Sequence, residues 1–191
     1  MIKITLDNSC FHENSWNLLS GLAELKKDGN VELIISHITN SELFAGRPKN
    51  KSDMEKMYKF RSIVKVWNIT SVIPKELSGM PDEENKFMEE VKGYTKSGID
   101  KIFKKIVEII FPEGWSGNER NGLNNYIDIK VLAQHIVRGG GIFVTKDEKL
   151  FFKNTNKGVT NKLIEDEFPN TKIRLLNEDV PIEIQKLILK N

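Results

Sequence analysis

The chain has 191 residues, of which 39% are hydrophobic and 29% charged, enough for one good core in an ordinary globular domain. Its single cysteine, Cys10, excludes an internal disulfide, its three histidines show no zinc-ligand spacing, and no apolar run approaches the roughly 20 residues that span a bilayer. With no basic stretch followed by an apolar run at the start, the expectation is a cytoplasmic protein, and a net charge of +2 points to no particular partner.

Ile2 to Leu6 alternates in hydropathy and ends on Asp7, which predicts a short strand terminating in a carboxylate. Trp16, Leu19, Leu22, Ala23 and Leu25 recur at helical spacing between Glu13 and Lys27, and Asp28-Gly29-Asn30 breaks the pattern. Val31 to Ile35 reads as a second strand, and Ser36 as the N-cap of a helix from His37 to about Ala45. Strand, helix and strand within this span make a βαβ unit, the first sign of a parallel sheet. A basic helix from Lys51 to Val66 follows, then a strand near Trp67 to Val72 and a loop punctuated by Pro74, Gly79 and Pro81. Helices are predicted over Asp82 to Val91 and Gly98 to Ile110, then a loop from Phe111 to Asn125 leading into a helix that runs to Val137. Gly139-Gly140-Gly141 stops that helix, and the strand Ile142 to Thr145 ends just before Asp147. A helix over Val159 to Phe168, a strand over Lys172 to Leu176 and an amphipathic helix over Pro181 to Leu189 close the chain. The alternation predicts an α/β domain, a three-layer sandwich with a mostly parallel sheet of about five strands. It would span residues 1–191 as one domain carrying a helical, partly basic insertion at about 47–120.

Between Arg47 and Lys65 stand seven basic residues against two acids, a local excess able to neutralise phosphates. Arg47, Lys49, Lys51, Lys59 and Arg61 are the candidate substrate contacts there; a solvated helix face is the competing reading.

The acids are more specific. In open α/β sheets, ligands bind beyond the carboxyl ends of the strands where strand order reverses. Asp7 and Asp147 both follow predicted strands, and two like charges at neighbouring strand ends need a cation or a proton between them. A hard divalent ion would meet that need. Glu42 lies about a turn and a half into the helix after the second strand. Asp128 shares a helix face with Asn121, Asn124 and Asn125, and Val131, Leu132 and His135 continue that face toward the core. His37 and His135 read as buried or capping residues, Cys10 as core filler, and Trp67, Phe111 and Trp115 as packing anchors.

These positions resemble the PIN domain family. Its first strand ends in Asp followed two positions later by Ser, Thr or Asn, as in Asp7-Asn8-Ser9 here. Ser41-Glu42-Leu43 is similar to the family's second acidic motif, and Asp128 with Ala133 to its D-x-x-x-x-A segment. Val144, Thr145 and Asp147 match its V-T-x-D run, with Phe151 one position late. Nothing between about Arg47 and Asn121 matches.

The resemblance implies metal-dependent phosphodiester hydrolysis, with RNA as the usual substrate and Mg²⁺ or Mn²⁺ as cofactor. It implies Asp7, Glu42, Asp128 and Asp147 as catalytic residues. Asp7, Asp128 and Asp147 would hold metal, and Ser9 and Thr145 would orient the carboxylates. It also raises a toxin with an antitoxin partner, and a homodimer. A catalytically inactive scaffold or nucleic-acid-binding relative is the alternative, and a receiver-type α/β domain with Lys146 beside Asp147 is a further rival. The receiver's paired acids after the first strand are missing, and no G-x-x-x-x-G-K-[ST] loop supports an NTPase.

Overall fold

The computed structural model describes residues 1–11, 15–27, 29–36, 51–67, 69–71, 98–115 and 122–190. The predicted helices over 37–45 and 82–91, with the Pro74–Pro81 loop, lie outside the described residues.

Alternation builds the first strand, β1 (Ile2–Leu6): Ile4 and Leu6 turn to one face while Thr5 turns to the other. A 3₁₀ turn over Asn8–Phe11 follows, then α1 (Trp16–Lys26), which buries Leu19 and Leu22. In β2 (Val31–Ile35), Val31, Leu33 and Ile35 are buried on the face that holds Ile4 and Leu6. The basic helix α2 (Lys51–Val66) leads to β3 (Thr70–Ser71), which starts later than the expected Trp67, while Val72 lies outside the described residues. The late start has a local cause: the amides of Trp67 and Ile69 bond back to the carbonyls of Ile63 and Val64, so closing α2 consumes the residues before Thr70.

A helix over residues 98–110 (α3) precedes α4 (Gly122–Val137), which begins before Asn125 rather than after it as the sequence suggested. The strand β4 (Gly141–Thr145) ends at the candidate motif. The next elements are α5 (Glu148–Phe151) and a small hairpin of β5 (Asn154–Thr155) with β6 (Gly158–Val159), neither of them expected. Last come α6 (Thr160–Glu167), β7 (Thr171–Leu175) and α7 (Asp179–Lys190).

The main sheet is parallel, in the order β3-β2-β1-β4-β7. Its two faces carry separate cores. Ile4, Leu6, Leu33, Ile35, Ile142 and Val144 pack with Leu19 and Leu22 of α1 and Val180 and Ile184 of α7. On the other face Phe143 and Ile173 pack with Ile106, Ile129, Leu132 and Ile164 from α3, α4 and α6. Helix, sheet and helix make the three layers that the alternation predicted, with five strands between them. Each fully buried Leu, Ile or Phe contributes about 1.5–3 kcal/mol of transfer free energy, so both faces hold the sheet.

Gly141 lets β4 approach β1. It sits at φ +115°, and a Cβ there would stand 2.6 Å from the Lys3 carbonyl oxygen. The register this permits matters to function, because it places Leu6 opposite Val144 and carries both strands to the same edge.

Candidate functional site

Strand order reverses between β1 and β4. The chain passes from β1 to β2 and β3 on one side and returns to β4 and β7 on the other, leaving a crevice at the carboxyl ends of the two central strands. Asp7 leaves β1 at that crevice and is fully buried; its amide bonds to the Val144 carbonyl at 3.0 Å, which pins it to β4.

Two hydroxyls hold one of its oxygens. Ser9 Oγ donates to Asp7 Oδ2 at 2.7 Å and Thr145 Oγ1 donates to the same atom at 2.9 Å. Neither hydroxyl is free to turn elsewhere, because each also receives a backbone amide. Lys146 N–H donates to Ser9 Oγ at 2.8 Å, and Asp147 N–H donates to Thr145 Oγ1 at 3.0 Å. A hydroxyl has one proton, so with both directed at Asp7 the 3.2 Å approach of Ser9 Oγ to Thr145 Oγ1 is a contact imposed by their common acceptor.

Asp7 Oδ1, by contrast, is buried and among the described residues has no hydrogen-bond partner. Burial pushes the Asp7 carboxyl above its ordinary range, while Ser9, Thr145 and the Asn8 backbone act in the opposite sense. The charge of Asp147 adds to the rise. Oδ1 is therefore the atom at which a proton or a cation relieves the site.

Asp147 is half-buried and caps α5, its Oδ1 accepting the Leu150 amide at 2.9 Å. Cys10 is filler, as expected: its Sγ donates to the Val144 carbonyl at 3.2 Å, and burial with the adjacent Asp7 charge drives its thiol pKa upward.

Asp128 lies half-buried on α4, and Val131, Leu132 and His135 beyond it are buried. The structure does not bring Asp7, Asp128 and Asp147 together as one ion-holding group. Among the described residues no three carboxylate, histidine or cysteine side chains are so arranged. Glu42, Arg47 and Lys49 lie outside the described residues, as do His12 and His37, and the side chains of Lys51 and Arg61 are outside those described. Lys59 is exposed on α2 with its ammonium 5.1 Å from the ring centre of Trp16, so part of its role is to tie α2 to α1.

The polar core also holds His135, buried as the sequence suggested, and Glu165, which the sequence did not single out. His135 Nδ1 lies 2.8 Å from Thr5 Oγ1, and burial lowers its pKa to about 4, against a backbone contact at Gly141 and with the Arg138 charge adding to the lowering. Glu165 is buried on α6 and accepts the Ile173 amide at 2.8 Å and Arg174 Nη1 at 3.0 Å, fastening α6 to β7. No sequence pattern marks Glu165, whose partners become neighbours only when the chain folds. Phe111, Trp115 and Tyr126 stack with ring planes 13° and 18° apart, the anchoring role expected of the first two.

Fold and site together define a doubly wound α/β domain with a constrained carboxylate pair at its topological switch point. No protein-family model and no curated protein matches the sequence. A chain from the crystal structure of VapBC2 from Rickettsia felis, bound to a DNA fragment from their promoter, is similar to this chain at TM-score 0.48 and 15% identity. The alignment covers 92% of this chain and 100% of that one. Among the described residues no helix is long and apolar enough to cross a membrane.

Proposed function

We propose that this chain is a metal-dependent nuclease of the PIN type that hydrolyses RNA phosphodiester bonds. One observation carries the reading: a fully buried strand-end carboxylate whose Oδ2 is clamped by two hydroxyls while its buried Oδ1 has no partner among the described residues, with a second carboxylate close enough to raise its pKa. A purely structural aspartate would have both oxygens satisfied.

The donor chemistry fits a hard divalent cation such as Mg²⁺ or Mn²⁺, which favours carboxylate oxygen and offsets the charge that Asp7 and Asp147 share. Asp7 through Oδ1, with Asp147, would hold it, and the sequence resemblance adds Asp128 and Glu42. Such an ion supplies Lewis acidity and lowers the pKa of water. The chain's own contribution is orientation. Ser9 and Thr145 fix the Asp7 carboxylate plane, and the Asp147 amide fixes Thr145. The basic stretch containing Arg47, Lys49, Lys51, Lys59 and Arg61 supports binding of a polyanion. An antitoxin encoded beside the gene would make the chain the toxin of such a pair.

The test is cleavage of single-stranded and structured RNA with Mg²⁺ or Mn²⁺, comparing the parent protein with Asp7→Asn and Asp128→Asn. Loss of cleavage in Asp7→Asn is the expected result. Equal cleavage by parent and both variants sinks the metal site, and RNA binding without cleavage by the parent favours the inactive nucleic-acid-binding alternative.

A further inference from the structure

The residue between the two matched motif positions, Lys146, has no part in the carboxylate clamp except through its backbone. Its amide is bonded to Ser9 Oγ, which fixes its Cα at the lip of the crevice, between Thr145 and Asp147. The side chain is half-buried, and among the described residues its ammonium pairs with no carboxylate. The backbone of a lysine is thus built into the network that holds the two carboxylates.

Placement distinguishes this lysine from the other surface cations. Lys149 lies on the exposed side of α5, Lys105 is paired with Glu167 on α3 and α6, and Lys172 is 3.7 Å from Glu165. Lys146 adjoins Asp147 and is bonded through its backbone to the hydroxyl that holds Asp7, so an anion at that edge lies within reach of its side chain. An ammonium there acts as a point charge, and one charge-assisted contact to a phosphate is strong enough to change both affinity and rate.

We propose that Lys146 is the phosphate-contacting cation of this site, taking a non-bridging oxygen of the phosphodiester held against Asp7 and Asp147. The assignment rests on the nuclease reading above. It adds to that reading a specificity for a phosphodiester over a neutral ligand, and places the contact one residue from an acid, apart from the basic segment at 47–65.

The experiment compares Lys146→Met, Lys146→Arg and the nearby control Lys149→Met in two measurements. The first is steady-state cleavage of a single-stranded oligouridylate with Mg²⁺ or Mn²⁺. The second is the salt dependence of binding the same oligonucleotide in the Asp7→Asn background, with thermal melting confirming that each variant folds. The expected result is a loss of at least tenfold in kcat/KM for Lys146→Met, a fall of about 0.7 in the slope of log affinity against log salt, recovery in Lys146→Arg and no change in Lys149→Met. Parent-like rate and slope in Lys146→Met overturn the proposal, and so does an equal loss in Lys149→Met, which would mean a diffuse field. A parent that cleaves nothing, with the slope still reduced by Lys146→Met, refutes the nuclease reading and retains the phosphate contact.

Discussion

Thr145 Oγ1 lies 2.9 Å from Asp7 Oδ2 and gives that oxygen its only proton, because its lone pairs are already turned to the Asp147 amide 3.0 Å away. One hydroxyl therefore sets the orientation of one carboxylate and the backbone position of the other. Residues 138 positions apart in sequence are made into one unit by this contact.

Replacing Thr145 by Val keeps the shape and removes both bonds. The expected outcome is a loss of about 10–100-fold in metal-dependent cleavage, the range for groups that orient a ligating carboxylate. Thr145→Ser retains the hydroxyl and most of the activity. Rates of the two variants on one RNA check this, and equal losses would mean that the methyl group, not the hydroxyl, is what matters.

Asp7→Asn is expected to abolish activity and stabilise the fold. The folded carboxyl has a raised pKa, so the native state binds the proton more tightly than the unfolded chain. Stability associated with Asp7 is present below the unfolded value of 3.8 and is lost as pH rises through the folded value. At neutral pH the amide removes that cost, so the melting temperature of Asp7→Asn should lie above that of the parent. Melting curves at pH 7 and pH 4 would show the gain shrinking toward acid. Added Mg²⁺ should raise the melting temperature of the parent but not of Asp7→Asn.

His135 gives the opposite pH dependence. Its folded pKa is about 4, below the ordinary 6.5, so the unfolded state binds the proton more tightly between those values. Stability is full above about pH 6.5 and falls as pH drops toward 4, by on the order of 3 kcal/mol from this group. Denaturant titrations of the parent and His135→Gln across that window should show the parent's slope reduced in the variant.

Glu165 is the structural carboxylate to set against Asp7. Glu165→Ala removes the acceptor of the buried Ile173 amide and the partner of Arg174, and is expected to cost about 3 kcal/mol. Glu165→Gln keeps an acceptor for the amide and costs less. Urea midpoints of the two variants decide the order.

The central strands were legible because their signals are local. β1, β2 and β4 are alternating or apolar runs closed by Asp7, Ser36 and Thr145, and Gly139-Gly140-Gly141 marks the turn before β4. The elements that were missed are too short for any periodicity: α5 spans four residues and is fixed by the Asp147 cap, and β5 and β6 span two each. At the site, motif spacing singled out Asp7, Ser9, Thr145 and Asp147, but the assignment of both hydroxyls to Oδ2 depends on the register of β1 against β4. The expectation for Asp128 was built on a helix face. That face is buried from Val131 onward, yet a face does not specify how far α4 stands from the strand ends. Thr5 and His135 show the same limit, since their contact joins residues 130 positions apart.

The adjacency of β1 and β4 also imposes an order in time. During synthesis Thr145, which completes the hydroxyl clamp on Asp7, is added 138 residues after it, with Lys146 next. The nascent N-terminal half can form β1, α1 and β2 yet holds an Asp7 without its Thr145 partner.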